Sequence, residues 1–507
     1  MKYVPSILLF LAVLLTGCLC QHYTFIHQES IGLFLTTSDY WRETLSYPLP
    51  ISSYIASFLI QFYRFHFVGP AITALLLLAL YALLQKLISS RPISMLLTCA
   101  MWVWSTFADT PTYIIVSILI ASVLLPFATM LRKRLHCSLL NPSTPSTGSG
   151  TSSEQVPSTS SGQARLQLTC GIAVLASVVV ICLPHTSQTE QWCRIERAAQ
   201  MKDWDTLLTI ATPEATQTDK SLLPYALLSL AGKNQLGERM FHYPITDRND
   251  FELEGLYYRT YVKSHDMAGK RTSPEPVPEP VEGGEGFDET GDLTYRANIF
   301  ASFLYDLCGS PNEAIHRLVQ AGCDLPHGTS FGILRQLINL HRQNYNTKLA
   351  IKYCDVLRHS TLHKSWAKRV KTGLQPNKIS MVFTDNDDTH QISNNTSGRS
   401  YIVMDDLSIN LAEIIDLGGN STASFPMFLG ILQADRRLET FVMALRPLEK
   451  NEKQQLPTHY QETLLIAEKE LKIDISDFNI DKAIRDKFQR GDFTNSYAAY
   501  YYQGERK

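Results

Sequence analysis

Few groups of residues in this 507-residue chain have the types and spacing that chemistry needs. One lies near the amino terminus, where His22, His27, Glu29, Asp39 and Glu43 occupy a polar stretch between two apolar runs. Glycosyltransferases that use polyprenyl-linked sugars keep a catalytic carboxylate in their first outer loop, and Glu29 or Asp39 has the right type and place for that base. Ordinary interfacial polarity accounts for the same residues without any reaction. A second group, Asp385-Asn386-Asp387-Asp388, contains the acidic pair that holds metal in nucleotide-sugar transferases. No βαβ pattern surrounds it, and neither the glycine nor the glutamate of an EF-hand follows, so it reads as a solvated loop.

A third group is basic. Arg342, Lys348, Lys352, Arg358, Lys364, Lys368, Arg369 and Lys371 crowd two expected helices with little acid between them. On a concave surface they suit an acidic partner or an anionic membrane face, and a solvated helix face is the competing reading. Nothing matches GxxxxGK, GxGxxG after a strand, HExxH or GxSxG, so no nucleotide or other cofactor is expected. The ten cysteines include no CxxC pair and no zinc spacing, so no metal is expected either, while a Cys308–Cys323 disulfide is compatible with an oxidising compartment. Asn394, Asn395 and Asn420 lie in sequons that matter only in a eukaryotic lumen.

The elements that must carry these residues divide sharply. Up to about Leu183 the chain holds long uncharged apolar runs, and from His185 it is polar and helix-patterned, a contrast hidden by a mean hydropathy of −0.06. A net charge of −2 and a pI near 6.7 give a nucleic-acid-binding role no electrostatic footing. Because lipid offers the backbone no hydrogen-bond partners, a span needs roughly 20 apolar residues in a helix. Five segments approach this within a transmembrane region 1–185, near 3–20, 67–84, 93–107, 113–130 and 166–183, and none contains Asp, Glu, Lys or Arg. Ion-coupled carriers keep ionisable groups in their spans, so that class is disfavoured. Ile51, Ile55, Phe58, Leu59 and Phe62 line one face of a further segment, 51–64, which is too short to cross and reads as interfacial or re-entrant.

Lys and Arg in short loops stay on the cytoplasmic side. Threading the chain with its amino terminus inside places Lys2, Lys86, Arg91 and the Arg132-Lys133-Arg134 cluster there, and five crossings leave the carboxyl-terminal part outside. Leu15-Thr16-Gly17-Cys18 resembles a lipobox, and cleavage there would remove one span without moving the large domain.

Residues 138–164 and the insertion 272–292 are rich in Ser, Thr, Pro, Gly or acid and read as disordered. Between them and beyond, residues 186–372 read as helical pairs. Turns recur at Lys202-Asp203-Trp204, Gly232-Lys233-Asn234, Gly309-Ser310-Pro311 and Asn344-Tyr345, with the small-residue and aromatic spacing of tetratricopeptide repeats. Residues 373–424 read as irregular, and 425–507 as further hairpins ending in a packed or frayed tail with Tyr497, Tyr500, Tyr501 and Tyr502.

Three stretches, Ile31 to Pro70, Ala301 to Lys368 with Ser365-Trp366-Ala367, and Leu456 to Leu465 with His459-Tyr460-Gln461-Glu462, carry a resemblance. In them the chain resembles an uncharacterised family of multi-span Bacteroidetes membrane proteins with a helical-repeat carboxyl-terminal region, known only as a domain of unknown function. The Pro-Glu insertion and the weak Gly-Gly-Asn repeat near Gly419 depart from that pattern. The resemblance implies an inner-membrane protein whose soluble part faces the periplasm, and it assigns no catalytic residue.

The expected fold is therefore all-α, a transmembrane bundle followed by a solenoid of tetratricopeptide-like hairpins. The expected role is a membrane-anchored scaffold, not an enzyme, contacting membrane lipid and a protein or envelope component but no nucleic acid. The alternative is a polyprenyl-linked-sugar glycosyltransferase or envelope glycan biogenesis enzyme using the first outer loop.

Overall fold

The computed structural model describes residues 3–88, 90–107, 112–123, 159–253, 289–325, 327–374, 407–416, 422–448 and 455–504. Among the described residues every regular element is a helix. Asp385 to Asp388, the three sequons, Cys137, Gly419 and the Arg132 cluster lie outside them. Helices begin at Thr159 and Glu289, inside the two stretches expected to be disordered. A helix, Leu407–Asp416, also stands within the expected irregular segment, because Leu407, Leu411 and Ile414 recur at helical spacing and are all buried. Polar residues on either side obscure that spacing in the sequence.

The chain folds into two compact units. The first comprises Met1–Arg194 with two later pieces, Ser330–Gly332 and Asp355–Lys368; the second comprises Ile195–Thr329, Ile333–Cys354 and Arg369–Lys507.

In the first unit the helices are α1 (Val4–Cys20), α2 (His22–Ile31), α3 (Ser38–Thr44), α4 (Pro50–Ile60), α5 (Val68–Ile88), α6 (Arg91–Ser105), α7 (Thr112–Val123), α8 (Thr159–Cys182) and the first part of α9 (Pro184–Gln200), whose residues from Ile195 belong to the second. Helix α1 packs on α5 and α8, and α6 packs on the same two. Leu9, Val13, Leu77, Tyr81, Met95 and Trp102 share one apolar core with Ala173 and Val180. The outward faces are apolar too. Ile7, Leu11, Leu15 and Leu19, one turn apart on α1, are exposed, as are Leu168, Leu175 and Val178 on α8. The bundle is thus apolar on its outward faces as well as in its core.

Among the described residues one helix, α5, is long and apolar enough to cross a bilayer, with a mean hydropathy of 2.1 over its best window. Its 21 residues give a rise of ~31 Å. The count reaches three if each bent pair is one span, α1 with α2 at 81° and Leu166–Cys182 with α9 at 54°. Helix α6, at 15 residues, is shorter than a bilayer core requires, and α7 is a short apolar helix.

The second unit is built from helical pairs closed by one recurring turn. Lys202, Asn234, Gly309, Tyr345 and Arg436 all have φ between 54 and 78°. In each case the next residue donates its N–H back across the helix end: Asp203 to Ala198, Gln235 to Leu230, Ser310 to Tyr305, Asn346 to His341 and Arg437 to Leu432, at 2.7–2.9 Å. The left-handed residue also donates, Lys202 to the Ala199 carbonyl and Arg436 to that of Gln433 for example, both at 3.0 Å. These bonds make five Schellman caps. The next helix begins immediately, so Asp203 closes one helix and caps another, its carboxylate accepting from Thr206 N–H. Four of these turns coincide with the four expected from sequence. The fifth, Asp435-Arg436-Arg437, has no glycine or asparagine to announce it.

Packing in this unit also joins pieces far apart in sequence. Leu236–Arg239 contacts both Ser424–Ala434 and Thr458–Leu471. Gly430 nestles against Leu236, Met240 and Phe251, and Gly237 against Pro457 and Tyr460.

Candidate functional site

The polar groups of the first unit gather at one end of its bundle. At Gln21 the chain turns sharply from α1 into α2, whose first amides have no cap from their own segment. Glu190 of α9 supplies it. Its carboxylate accepts from Tyr23 N–H at 2.7 Å, and from Thr24 N–H and Thr24 Oγ1 at 2.8 Å. A negative charge there also faces the positive end of the α2 dipole.

Anchored in this way, α2 turns Phe25 and Glu29, one turn apart, into the interior. Glu29 is 7% exposed, and its Oε1 lies 2.9 Å from Nε2 of His363, itself 3% exposed. The His363 ring stacks on Phe331 with planes within 15°, and Trp366 meets the edge of Phe331. Three backbone contacts hold the same segments in place. The His359 carbonyl accepts from both N–H and Oγ1 of Thr36 at 2.9 Å, and Phe331 N–H donates to Gly32 at 3.0 Å. Ser360 Oγ reaches Oε1 of Gln61 at 3.4 Å. Gly332 passes so close to Ser30 that a Cβ there would collide with the Ser30 hydroxyl. A carboxylate buried to this degree needs a polar neighbour, and the His363 imidazole is the one that stands beside it.

Other candidates from the same stretch do not converge on Glu29. Asp39 and Glu43 lie one turn apart and exposed on α3, whose amino terminus is capped by Thr37. His22 meets His66 instead, Nδ1 to Nδ1 at 2.7 Å, one imidazole donating to the other. Among the described residues no group of three His, Cys, Asp or Glu can hold a metal ion.

The basic residues fall in both units. Arg358, Lys364 and Lys368 belong to the first, where Arg358 pairs with Asp355 at 3.2 Å and Lys364 and Lys368 are exposed one turn apart. Arg342, Lys348, Lys352, Arg369 and Lys371 belong to the second, with Lys348 and Lys352 exposed one turn apart and Arg342 and Lys371 half-buried.

In the second unit the His459-Tyr460-Gln461-Glu462 run is buried throughout. His459 Nδ1 lies 3.4 Å from Glu462 Oε2, which accepts from Tyr497 N–H at 2.8 Å. The Gln433 amide donates to the His459 carbonyl at 3.0 Å and to Thr463 Oγ1 at 2.7 Å. Tyr497 is fully buried, and Tyr500 OH donates to the carbonyls of Thr246 and Ala434 while its ring faces Arg436. Burial pushes the Tyr500 phenol up to about 12 and that of Tyr497 further. The tyrosine tail is thus packed. Cys308 is buried, its thiol pushed up to about 12 by burial with Asp306 adding to it, and Cys323 is exposed; both are free thiols.

Sequence reasoning missed Glu190, His363, Phe331 and the Gln61–Ser360 contact. Each acts across a long sequence interval, and none stands in a motif with a local physical meaning.

One family model, a family of unknown function (DUF6057), matches residues 1–144 and 284–506. The match takes in Glu29, His363 and the His459 run and leaves out 145–283, which contains Glu190. No curated protein and no solved structure matches the chain.

Proposed function

We propose a role for a chain that belongs to DUF6057, a family of unknown function: it is a membrane-anchored helical scaffold of the bacterial inner membrane. In this reading its first 185 residues cross the bilayer five times, and its helical hairpins, stacked in the manner of tetratricopeptide repeats, face the periplasm. There they bind a protein or another envelope component.

One observation carries the reading, the sorting of groups between the two ends of the first unit. Residues 22–66 and 185–194 meet at one end through Glu190, and 330–332 and 355–368 join them through Gly32, Thr36 and Glu29. Tyr63 OH bonded to Thr112 Oγ1 at 2.5 Å, and Phe107 stacked on His185, bring the end of α6 and the start of α7 to the same place. Helix α5 starts there, where Gly69 packs on Phe25 and Tyr63, and runs away to Lys86; Arg91 opens α6 at the far end. Lys86 and Arg91 flank the short connection between α5 and α6 and support a cytoplasmic far end, against Arg64 just before α5 at the near end. An even number of crossings between residues 66 and 185 fits this placement, and the four expected there are even. The extended surface of helical hairpins suits partner binding.

Reporter fusions at residues 150 and 200 test the topology: opposite compartments are expected, and the same compartment for both refutes it. Cross-linking in intact cells tests the role. A reproducible partner lost on charge reversal at Lys364 and Lys368 is expected, and recovery of none counts against a scaffold.

A second reading, a transferase of polyprenyl-linked sugars, is favoured by the Glu29–His363 pair, since an imidazole that orients a carboxylate suits general-base chemistry. Asp39, exposed on another helix, has no part in it. Glu29→Gln with unaltered envelope glycans supports the scaffold, and altered glycans at normal protein levels support the enzyme.

A further inference from the structure

We infer that the α3–α4 hairpin is a docking surface for the bilayer itself, lying flat at the membrane–water boundary and neither crossing nor re-entering. The inference rests on the membrane reading above and goes beyond it by assigning one surface and one partner.

The hairpin exposes apolar residues on α4 and the turn before it, beside the exposed charges Asp39, Arg42 and Glu43 of α3. Leu45, Leu49, Ile51, Ile55 and Phe58 are each 38–59% exposed. Ile51, Ile55 and Phe58 recur at helical spacing along α4, while Ser52 and Ala56 on the opposite side are buried. Large apolar side chains clustered this way against water mark a partner. The hairpin has its own aromatic interior, Phe34 meeting Tyr40, Tyr54 and Phe58 edge to face at 5.0–5.7 Å, so the outward residues are not left over from a missing core.

Two observations identify lipid as the occupant. The first is continuity. From Phe58 the chain runs through exposed Phe65 and Phe67 directly into α5, the helix best suited to cross a bilayer, whose Leu75 is 56% exposed. The second is level. Tyr113 OH donates to the Pro48 carbonyl at 2.7 Å, fixing the hairpin tip beside the start of α7, and Tyr63 ties the end of the hairpin segment to Thr112. The hairpin therefore sits at the depth where α5 and α7 begin. With 11 residues, α4 rises only ~16 Å, about half a bilayer core. An amphipathic helix of that length at that depth buries its apolar face in the headgroup–acyl boundary. The residues that flank the hairpin carry the later chain, through Thr36 to His359 and Gln61 to Ser360.

The test uses the full chain reconstituted in phosphatidylethanolamine/phosphatidylglycerol vesicles, with a photo-crosslinking amino acid at Ile51, Ile55, Leu75 or Arg358. Lipid adducts at 51 and 55 should approach the yield at 75 and exceed that at 358 several-fold. Adducts at 75 but none at 51 and 55 overturn the docking surface and leave the membrane reading standing. A protein adduct at 51 or 55 also overturns it, since a second copy or another chain then covers the face. Absence of lipid adducts at 75 as well overturns the membrane reading. Ile55→Ser, which removes apolar area without adding charge, should lower the lipid adduct at 51 while sparing that at 75, and an unchanged yield at 51 contradicts the assignment.

Discussion

The two units each bury a histidine–glutamate pair, and they do so by different means. In the second unit His459 and Glu462 stand three residues apart on one helix, and the helix alone brings them together. In the first, Glu29 and His363 come from opposite parts of the chain and are brought to 2.9 Å by other contacts, the Thr36 and Gly32 bonds and the stack on Phe331. A local pair belongs to one helix and its immediate packing. A distant pair stitches the chain, so its loss should be felt along the whole joined segment.

The largest expected effect breaks this contrast directly. Glu29→Ala removes one partner of a buried pair, which costs about 3–5 kcal/mol. Hydrogen exchange should accelerate at the Thr36 and Phe331 amides and leave Tyr497 unchanged. His459→Ala should do the opposite, exposing the Tyr497 amide and sparing Thr36. If either variant loosens both sites equally, the two pairs are not separate devices.

Next comes packing within the second unit. A Cβ on Gly232 would sit 2.6 Å from the Trp204 ring, so Gly232→Ala forces a shift and should destabilise by about 1–3 kcal/mol, read by thermal unfolding. Gly232→Ala combined with Trp204→Leu should recover most of that loss.

A smaller effect concerns His341, which is 6% exposed with no partner for Nδ1. Burial lowers its pKa below the ordinary 6.5. The unfolded chain therefore takes up the proton more readily, and this contribution to stability is intact above pH 6.5 and lost as pH falls below it. His341→Phe should flatten that part of the pH–stability curve, and an unchanged curve contradicts the assignment.

The smallest effect is a gain. Tyr345 adopts a left-handed conformation that L side chains resist, so Tyr345→Gly should relieve strain worth about 1 kcal/mol. Denaturant midpoints measure it, and a loss of stability would mean that the exposed Tyr345 ring makes a contact that matters.

The legibility of the fold follows the same division. Turns such as Gly309-Ser310-Pro311 were readable because a small residue and a capping residue each carry a local physical meaning, and helices follow from apolar spacing that one window contains. Arg436 closes an equivalent turn with no such residue, and the pattern alone misses it. Glu29 stood out by type and place, but the histidine that meets it did not, because nothing near His363 refers to the amino terminus. Contacts of that range are set by the packing of whole segments, which no short stretch of sequence encodes.

The proposed role requires the second unit to lie outside the cytoplasm. Cys323 is an exposed thiol of that unit and Cys308 a buried one, so a membrane-impermeant maleimide added to intact spheroplasts, read by peptide mass spectrometry, addresses it without altering the chain. With the second unit outside, Cys323 is modified before lysis and Cys308 stays protected throughout. Modification of Cys323 only after lysis would contradict that placement.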